Sequence, residues 1–442
     1  MRLDGSWPAP APRAPSSAAS RGRSHALAIP LLNNRVELDP GVRYSDYDTI
    51  GTVTTYKLLG DWKIVDRVRF RGGYQFANRA PNVNELFTPR GGSSLQLGAD
   101  ACANYPQTAS FGNVAANPNR LNVQTLCQYL MTRDGAPASL YVPGTPSAND
   151  YAYNVFGGTT FFPFVIGVTE GNPSLGSESA DTYTAGFVFD LGSQHGVNLS
   201  IDWFRIELTN AIGIPGHNTI YQQCLDAQYN PLIGDAPGAH SGAELAAGNP
   251  FCALIQREYV GGAPLDPGNF GADRKYSARY LNQGGITSEG TDIQVNWRIG
   301  NFLVNEQASF LTSYETSPFP GADFIDYTGT TTNNSFDYRL LSTLIYSKDS
   351  LSIGMRWQHL PTLDVAPDAG ATALGVDSHD QIDVFGTWTF GQRWSLRAGI
   401  NNLTNADPEW TGRTTTNNAI GTTNAIYDQI GRSMFVGVTM TL

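Results

Sequence analysis

The sequence predicts an all-β protein: an antiparallel transmembrane β-barrel of about twelve strands. Three observations predict it. Apolar residues alternate with polar ones over repeated stretches of eight to fourteen residues, as in FVGVTMTL at the carboxy terminus. The connections between those stretches are a few residues long at one end and tens of residues long at the other. No run of about 18 apolar residues occurs, which excludes membrane-spanning helices but not strands, whose hydropathy averages to nearly nothing. Short turns at one rim and long loops at the other are the pattern of an outer-membrane barrel, and only a closed sheet satisfies every backbone hydrogen bond in lipid.

The elements follow in order. Residues 1–34 are rich in Pro, Ala, Ser and Arg, have no period, and lack the apolar core of a secretory signal; they are expected to be disordered. From residue 35 to 442 the period is two. Strands are expected at 36–47, 52–64, 67–75, 181–191, 197–208 and 286–299, then at 302–315, 338–346, 350–359, 381–390, 394–402 and 432–442. Two long external loops are expected at about 77–180 and 213–278. In 286–299, Ile293, Val295, Trp297 and Ile299 share one face while Asp292, Gln294, Asn296 and Arg298 share the other. Trp297, Trp357, Trp388 and Trp394 fall near strand ends on apolar faces, as interfacial aromatics do. Glu306 falls on an apolar face, which calls for an interfacial position or a β-bulge. A soluble β-sandwich also alternates, but it places short turns at both ends.

Composition narrows the function. Charged residues are 15% of the 442, and the net charge of −11 with no basic block argues against nucleic acid as a partner. Cys102 and Cys127 lie in the first long loop and Cys224 and Cys252 in the second. Neither pair has zinc spacing, and two loop-stapling disulfides in an oxidising compartment are expected. No phosphate-binding loop, nucleophile elbow or metalloprotease helix is present, so no enzyme, cofactor or metal site is expected. His379, Asp380 and Asp383 read as a polar strand start rather than a metal site. The inward faces carry Arg69, Arg71, Arg298, Arg356 and Arg397 with Asp292, Asp383, Gln294, Gln358 and Asn296, which suits a hydrated lumen or the surface of a plug. Tyr151, Tyr153, Phe156, Phe161, Phe162 and Phe164 make the first loop aromatic, but no ligand-binding residue is identified.

Three segments carry a resemblance. RVRFRGGYQFANRAPNVNELF ends in Arg79, Ala80, Pro81, Asn82, Val83, Asn84, Glu85, Leu86 and Phe87, and resembles a strand-and-loop motif of TonB-dependent outer-membrane receptors. GNPSLGSESADTYTAGFVF (171–189) and GINNLTNADPEW (399–410) resemble later elements of the same family, in the family's order. The resemblance covers about 36–442. It implies a 22-stranded barrel blocked by a plug, and import of a scarce nutrient, such as a ferric siderophore or oligosaccharide, across the outer membrane of a Gram-negative bacterium. The inner-membrane TonB complex would drive that import. Twelve strands are about ten too few; no plug, TonB box or signal peptide is matched, and residues 1–34 match nothing in the family. The chain is therefore expected to be the carboxy-terminal part of such a receptor. The end of the chain, Phe435-x-Gly437-x-x-Met440-x-Leu442, resembles the family's signal to the barrel-assembly machinery, with Leu in place of the usual terminal Phe. A passive 12-stranded pore and a soluble all-β binding protein are the alternatives.

Overall fold

The computed structural model describes residues 21–26, 29–31, 35–89, 91–93, 101–102, 111–112, 116–135, 166–192, 196–255, 259–260, 263–264, 275–319, 322–367, 374–391, 393–409 and 427–441. Its main sheet is built from β1 (Arg21–Ala26), β2 (Ile29–Leu31), β3 (Val36–Tyr47), β4 (Gly51–Val65), β5 (Val68–Arg79), β6 (Glu178–Asp190) and β7 (Val197–Thr209). It continues through β8 (Gly285–Ile299), β9 (Phe302–Ser317), β10 (Tyr338–Lys348), β11 (Leu351–Leu360), β12 (His379–Phe390), β13 (Trp394–Asn401) and β14 (Ser433–Met440). Spatial order follows chain order, every neighbour is antiparallel, and β1 and β2 lie in register along the same edge of β3. All twelve expected strands are present. The thirteenth position, filled by β1 and β2, departs from the expectation of disorder at residues 21–26 and 29–31. RGRSHA pairs with Gly41–Asp46, and that ladder, rather than apolar alternation, makes it a strand. The turns Gly300-Asn301 and Asp349-Ser350 are tight, and Gly300 (φ 57°) and Asp349 (φ 52°) take the left-handed conformation such reversals require.

Register assigns each side chain to a face. Trp297, Val304, Leu344, Met355, Val384, Ile400 and Met434 form one row across seven strands on the outward face. These are apolar, yet Trp297 and Met355 are 42% and 43% exposed. An apolar side chain left this open forgoes much of the roughly 1.5–3 kcal/mol that full burial is worth, unless lipid covers it. Trp388 and Trp394 mark the short-turn end of this face. At the other end Trp203 and Trp357 donate their indole N–H to Glu289 (3.1 Å) and Asp380 (2.8 Å). An apolar face carrying tryptophans, two of them with hydrogen-bonded indole tips, has the composition of an aromatic girdle.

The bulge lies elsewhere than Glu306. Register slips between Glu289 and Gly290, while Glu306 pairs directly with Val295 and Ser342 and stays on the outward face. The Ser342 hydroxyl donates to its carboxylate. Of the two explanations offered for Glu306, an interfacial position or a bulge, the bulge is therefore not found at this residue.

The largest buried cluster lies outside the sheet. Helices α1 (Val83–Phe87) and α2 (Arg120–Arg133) occupy the first long loop, and α3 (His217–Leu225) and α4 (Gly242–Ala247) the second. Val123, Leu126, Cys127, Leu130 and Met131 are at most 1% exposed, and their spacing of three and four puts them on one side of α2. That side meets Ile220, Cys224, Leu225, Ile233, Leu245 and Cys252 from the other loop. A Cβ on Gly242 would sit 2.3 Å from that of Tyr129, so α4 approaches α2 at a contact only glycine permits. Asn122 donates across the junction to the carbonyls of Ile233 (3.0 Å) and Asp235 (2.8 Å). The two loops thus share one core and make one cap. Cys102–Cys127 and Cys224–Cys252 are disulfides, one within each loop.

Candidate functional site

The lumenal face is continuous and polar. One row reads Glu37, Asp61, Arg71, Gly186, Asp202, Asp292, Ser309, Arg339 across eight strands. Arg71 reaches over β6 to make two hydrogen bonds with Asp202, at 2.8 and 2.6 Å. The bridge needs Gly186 between them, where a Cβ would lie 2.1 Å from the Asp202 carboxylate. Arg69 pairs with Asp61 at 3.3 Å. These residues, with Glu37 and Asp39, line a lumenal cavity of about 730 Å³. A neighbouring cavity of about 370 Å³ is walled by Gln307, Ser309, Arg339 and Gln358.

Two polar rows rich in side-chain amides lie on the short-turn side of Ser309 and Arg339. Gln294, Gln307, Gln358 and Gln381 share one row, interrupted by Leu341. Asn198, Asn296, Asn305, Thr343, Arg356 and Asp383 share the next. Asn305 donates to Asn296 (2.6 Å) and Gln307 to Asn305 (3.2 Å). Asp383, buried, accepts from Arg356 (2.9 Å), Gln381 (3.1 Å) and the backbone N–H of Asn402 (2.8 Å). Such a face offers donors and acceptors to a polar ligand or polypeptide and holds its own charges mostly in pairs.

The motif residues meet at the long-loop rim. Arg79, at the end of β5, pairs with Glu178 at the start of β6 and with both oxygens of Glu85 (3.1 and 3.0 Å). Glu85 accepts from the Asn82 backbone (2.6 Å) while Asn82 accepts from Glu85 N–H (2.9 Å), a reciprocal cap that starts α1. Pro81 and Leu86 are buried beneath; Ala80 is half-buried and Phe87 exposed. Glu178 also accepts from Ile212 N–H (3.0 Å), where the second loop begins. Asn172 donates to the Tyr280 carbonyl (2.9 Å), and Gly171 passes so close to Leu86 that a Cβ would lie 2.6 Å from its carbonyl. The first two motifs therefore hold each other and anchor both roots of the cap. The third shapes a turn at the same long-loop rim, further along the sheet: Asn402 (φ 51°) and Asn405 (φ 55°) bring Asn402 N–H to Asp383.

Alternation separates His379 from Asp380. His379 faces the lumen, edge-on to Tyr427 at 4.9 Å, whereas Asp380 faces outward and binds His359 at 2.8 Å. Burial, then the charge of Glu409, pushes the Tyr427 phenol up to about 12, so it stays neutral. In the cap, the Ser241 backbone and hydroxyl donate to Glu244 (both 2.7 Å) and hold its carboxyl below the usual range. The aromatic run Tyr151 to Phe164 lies outside the described residues. Two features escaped the sequence reading. One is Phe319, from a third loop, whose ring lies 5.5 Å from Phe251 and docks that loop on the cap. The other is the cap itself, whose signal was present in the three-and-four spacing of α2.

Comparison with known proteins agrees with this architecture. No curated protein matches the chain. Among solved structures, a mutant of the ferric enterobactin receptor of Pseudomonas aeruginosa superposes with a TM-score of 0.56 at 14% identity, covering 95% of this chain and 44% of that one. The siderophore receptor PirA of Acinetobacter baumannii superposes with a TM-score of 0.54 at 13% identity, covering 95% and 45%. The chain thus spans under half the length of these structures, and the likeness is one of fold. The family model described as TonB dependent receptor-like, beta-barrel, matches residues 4–403. That match begins well before residue 35, so the amino-terminal segment is not foreign to the family as expected. This chain belongs to the TonB-dependent receptor β-barrel family, a family of transporters rather than enzymes.

Proposed function

We propose that the chain forms the wall and external cap of an outer-membrane receptor of a Gram-negative bacterium that imports a scarce nutrient, such as a ferric siderophore or an oligosaccharide. The observation that carries this reading is the two-faced sheet: an apolar outward face margined by tryptophans, against a lumenal face of paired charges and amides with two cavities. The cap above that lumen, stapled by Cys102–Cys127 and Cys224–Cys252, is the surface a ligand meets first. Arg79, Ala80, Pro81, Asn82, Glu85, Leu86 and Phe87 serve it as its mount. In the whole receptor the TonB complex supplies the energy, and the last strand engages the barrel-assembly machinery. The solved relatives are named as ferric enterobactin and siderophore receptors, which makes ferric enterobactin the first ligand to try. Tryptophan fluorescence of the detergent-folded chain, titrated with ferric enterobactin and separately with maltoheptaose, is expected to saturate with one of them. A linear, non-saturating response to both contradicts the reading.

A further inference from the structure

The larger lumenal cavity is rich in acid. Glu37, Asp39, Asp61, Asp202 and Asp292 all line it. Lys57, Arg69 and Arg71 pair with Asp39, Asp61 and Asp202. Glu37 and Asp292 have no cation partner among the described residues. Asp292 instead accepts from the Ser309 hydroxyl at 2.7 Å.

The smaller cavity beside it has the opposite surplus. Arg339 stands in its wall next to Ser309, with Gln294, Gln307 and Gln358 around it. Among the described residues no carboxylate pairs with Arg339, whereas Arg69, Arg71, Arg79, Arg205 and Arg356 each have one. Its place is nevertheless fixed. The guanidinium carbon lies 5.6 Å from the ring centroid of Phe336. That ring is 2% exposed and packs with Leu360, Leu363, Val376 and Tyr427. A guanidinium resting on an aromatic ring keeps its N–H edge for a second partner, and that edge matches the two oxygens of a carboxylate.

Asp292 belongs to both cavities, so the two surpluses adjoin. Together they restrict the ligand. A multiply charged anion gains from Arg339 but meets Glu37 and Asp292. A cation gains from those acids but meets Arg339. A molecule with one carboxylate and many hydroxyls suits both. Its carboxylate takes Arg339, and its hydroxyls donate to Asp292 and exchange hydrogen bonds with the glutamine amides, which both donate and accept. The cavity of about 370 Å³ falls within the roughly 300–1,000 Å³ of small-ligand sites.

We propose that Arg339, Asp292, Gln294, Gln307 and Gln358 form a lumenal subsite for a single uronate residue, so that the imported nutrient is an acidic oligosaccharide. The proposal rests on the reading of this face as an import lumen and narrows its ligand class.

The probes are a xylotriose carrying one glucuronate branch and the methyl ester of the same sugar, titrated calorimetrically into the full chain folded in micelles. The acid is expected to saturate and to bind roughly tenfold tighter than the ester, or more, the scale of a hydrogen bond to a charged group. Arg339→Gln is expected to bring the acid down to the level of the ester. Arg339→Lys keeps the charge but not the forked donors, and is expected to retain part of the preference. Equal affinity for acid and ester, or acid binding that Arg339→Gln leaves unchanged, overturns the subsite. So does saturation by ferric enterobactin or maltoheptaose with none by the acid. Each of these outcomes leaves the import reading standing. Failure of all four ligands contradicts the import reading, and this proposal with it.

Discussion

Gly186 shows how much one missing methyl group does. It lets Arg71 span an entire strand to reach Asp202. Gly186→Ala is expected to break that bridge and lower unfolding stability by about 2 kcal/mol, the scale of a charge-assisted hydrogen bond, read from urea unfolding in micelles. An Asp202→Asn variant in the same background should then cost little more, because the partner is already lost. Glu306 makes the opposite case. Its carboxylate faces outward and accepts from Ser342. Glu306→Leu is expected to raise stability by about 1 kcal/mol, since a lipid-facing acid is disfavoured; an unchanged or lower midpoint would place Glu306 in water. Both faces were legible from alternation alone. The Arg71–Asp202 partnership was not, because residues 131 apart meet only through strand register.

At the scale of elements, the strands were readable and the cap was not. A two-residue period is visible in the twelve expected strands because one side of the sheet is apolar and the other polar. The segments between read as loops in the sequence, since their helices are short and interrupted by glycine and proline. Only α2 is long enough to show its own period, and its partner helices lie about a hundred residues further on. The cysteines were legible individually, but not the fact that both disulfides serve a single core. Replacing Cys102 and Cys127 by Ala is expected to destabilise the cap by about 3 kcal/mol, the loop-closure scale for such a separation. Limited proteolysis should then cut in both loops rather than in the first alone. Arg79→Ala should loosen the same two loops while leaving the barrel strands resistant, because Arg79 bridges Glu85 and Glu178 at the roots of both. Glu244 adds a pH dependence. Its folded pKa is lowered, so its stabilisation is present above the ordinary carboxylate value near 4 and fades as pH falls through the folded value. Glu244→Gln should flatten the low-pH rise in cap proteolysis.

On the scale of the molecule, the chain is an antiparallel sheet with an apolar face on one side, a polar face on the other and a folded cap at one end. Strand order and face assignment were predictable because sequential antiparallel strands leave one topology and one alternation. The thirteenth position was not, since RGRSHA carries no apolar alternation and becomes a strand only by pairing with Gly41–Asp46. The account depends above all on the two faces seeing different solvents. The described cysteines are all disulfide-bonded, so single cysteines introduced at Ile353, Met355, Arg356 and Gln358 would label cleanly. In liposomes, nitroxide labels at Ile353 and Met355 should collide preferentially with oxygen, and those at Arg356 and Gln358 with a water-soluble nickel complex. Equal access of the nickel complex to all four sites would contradict a membrane wall.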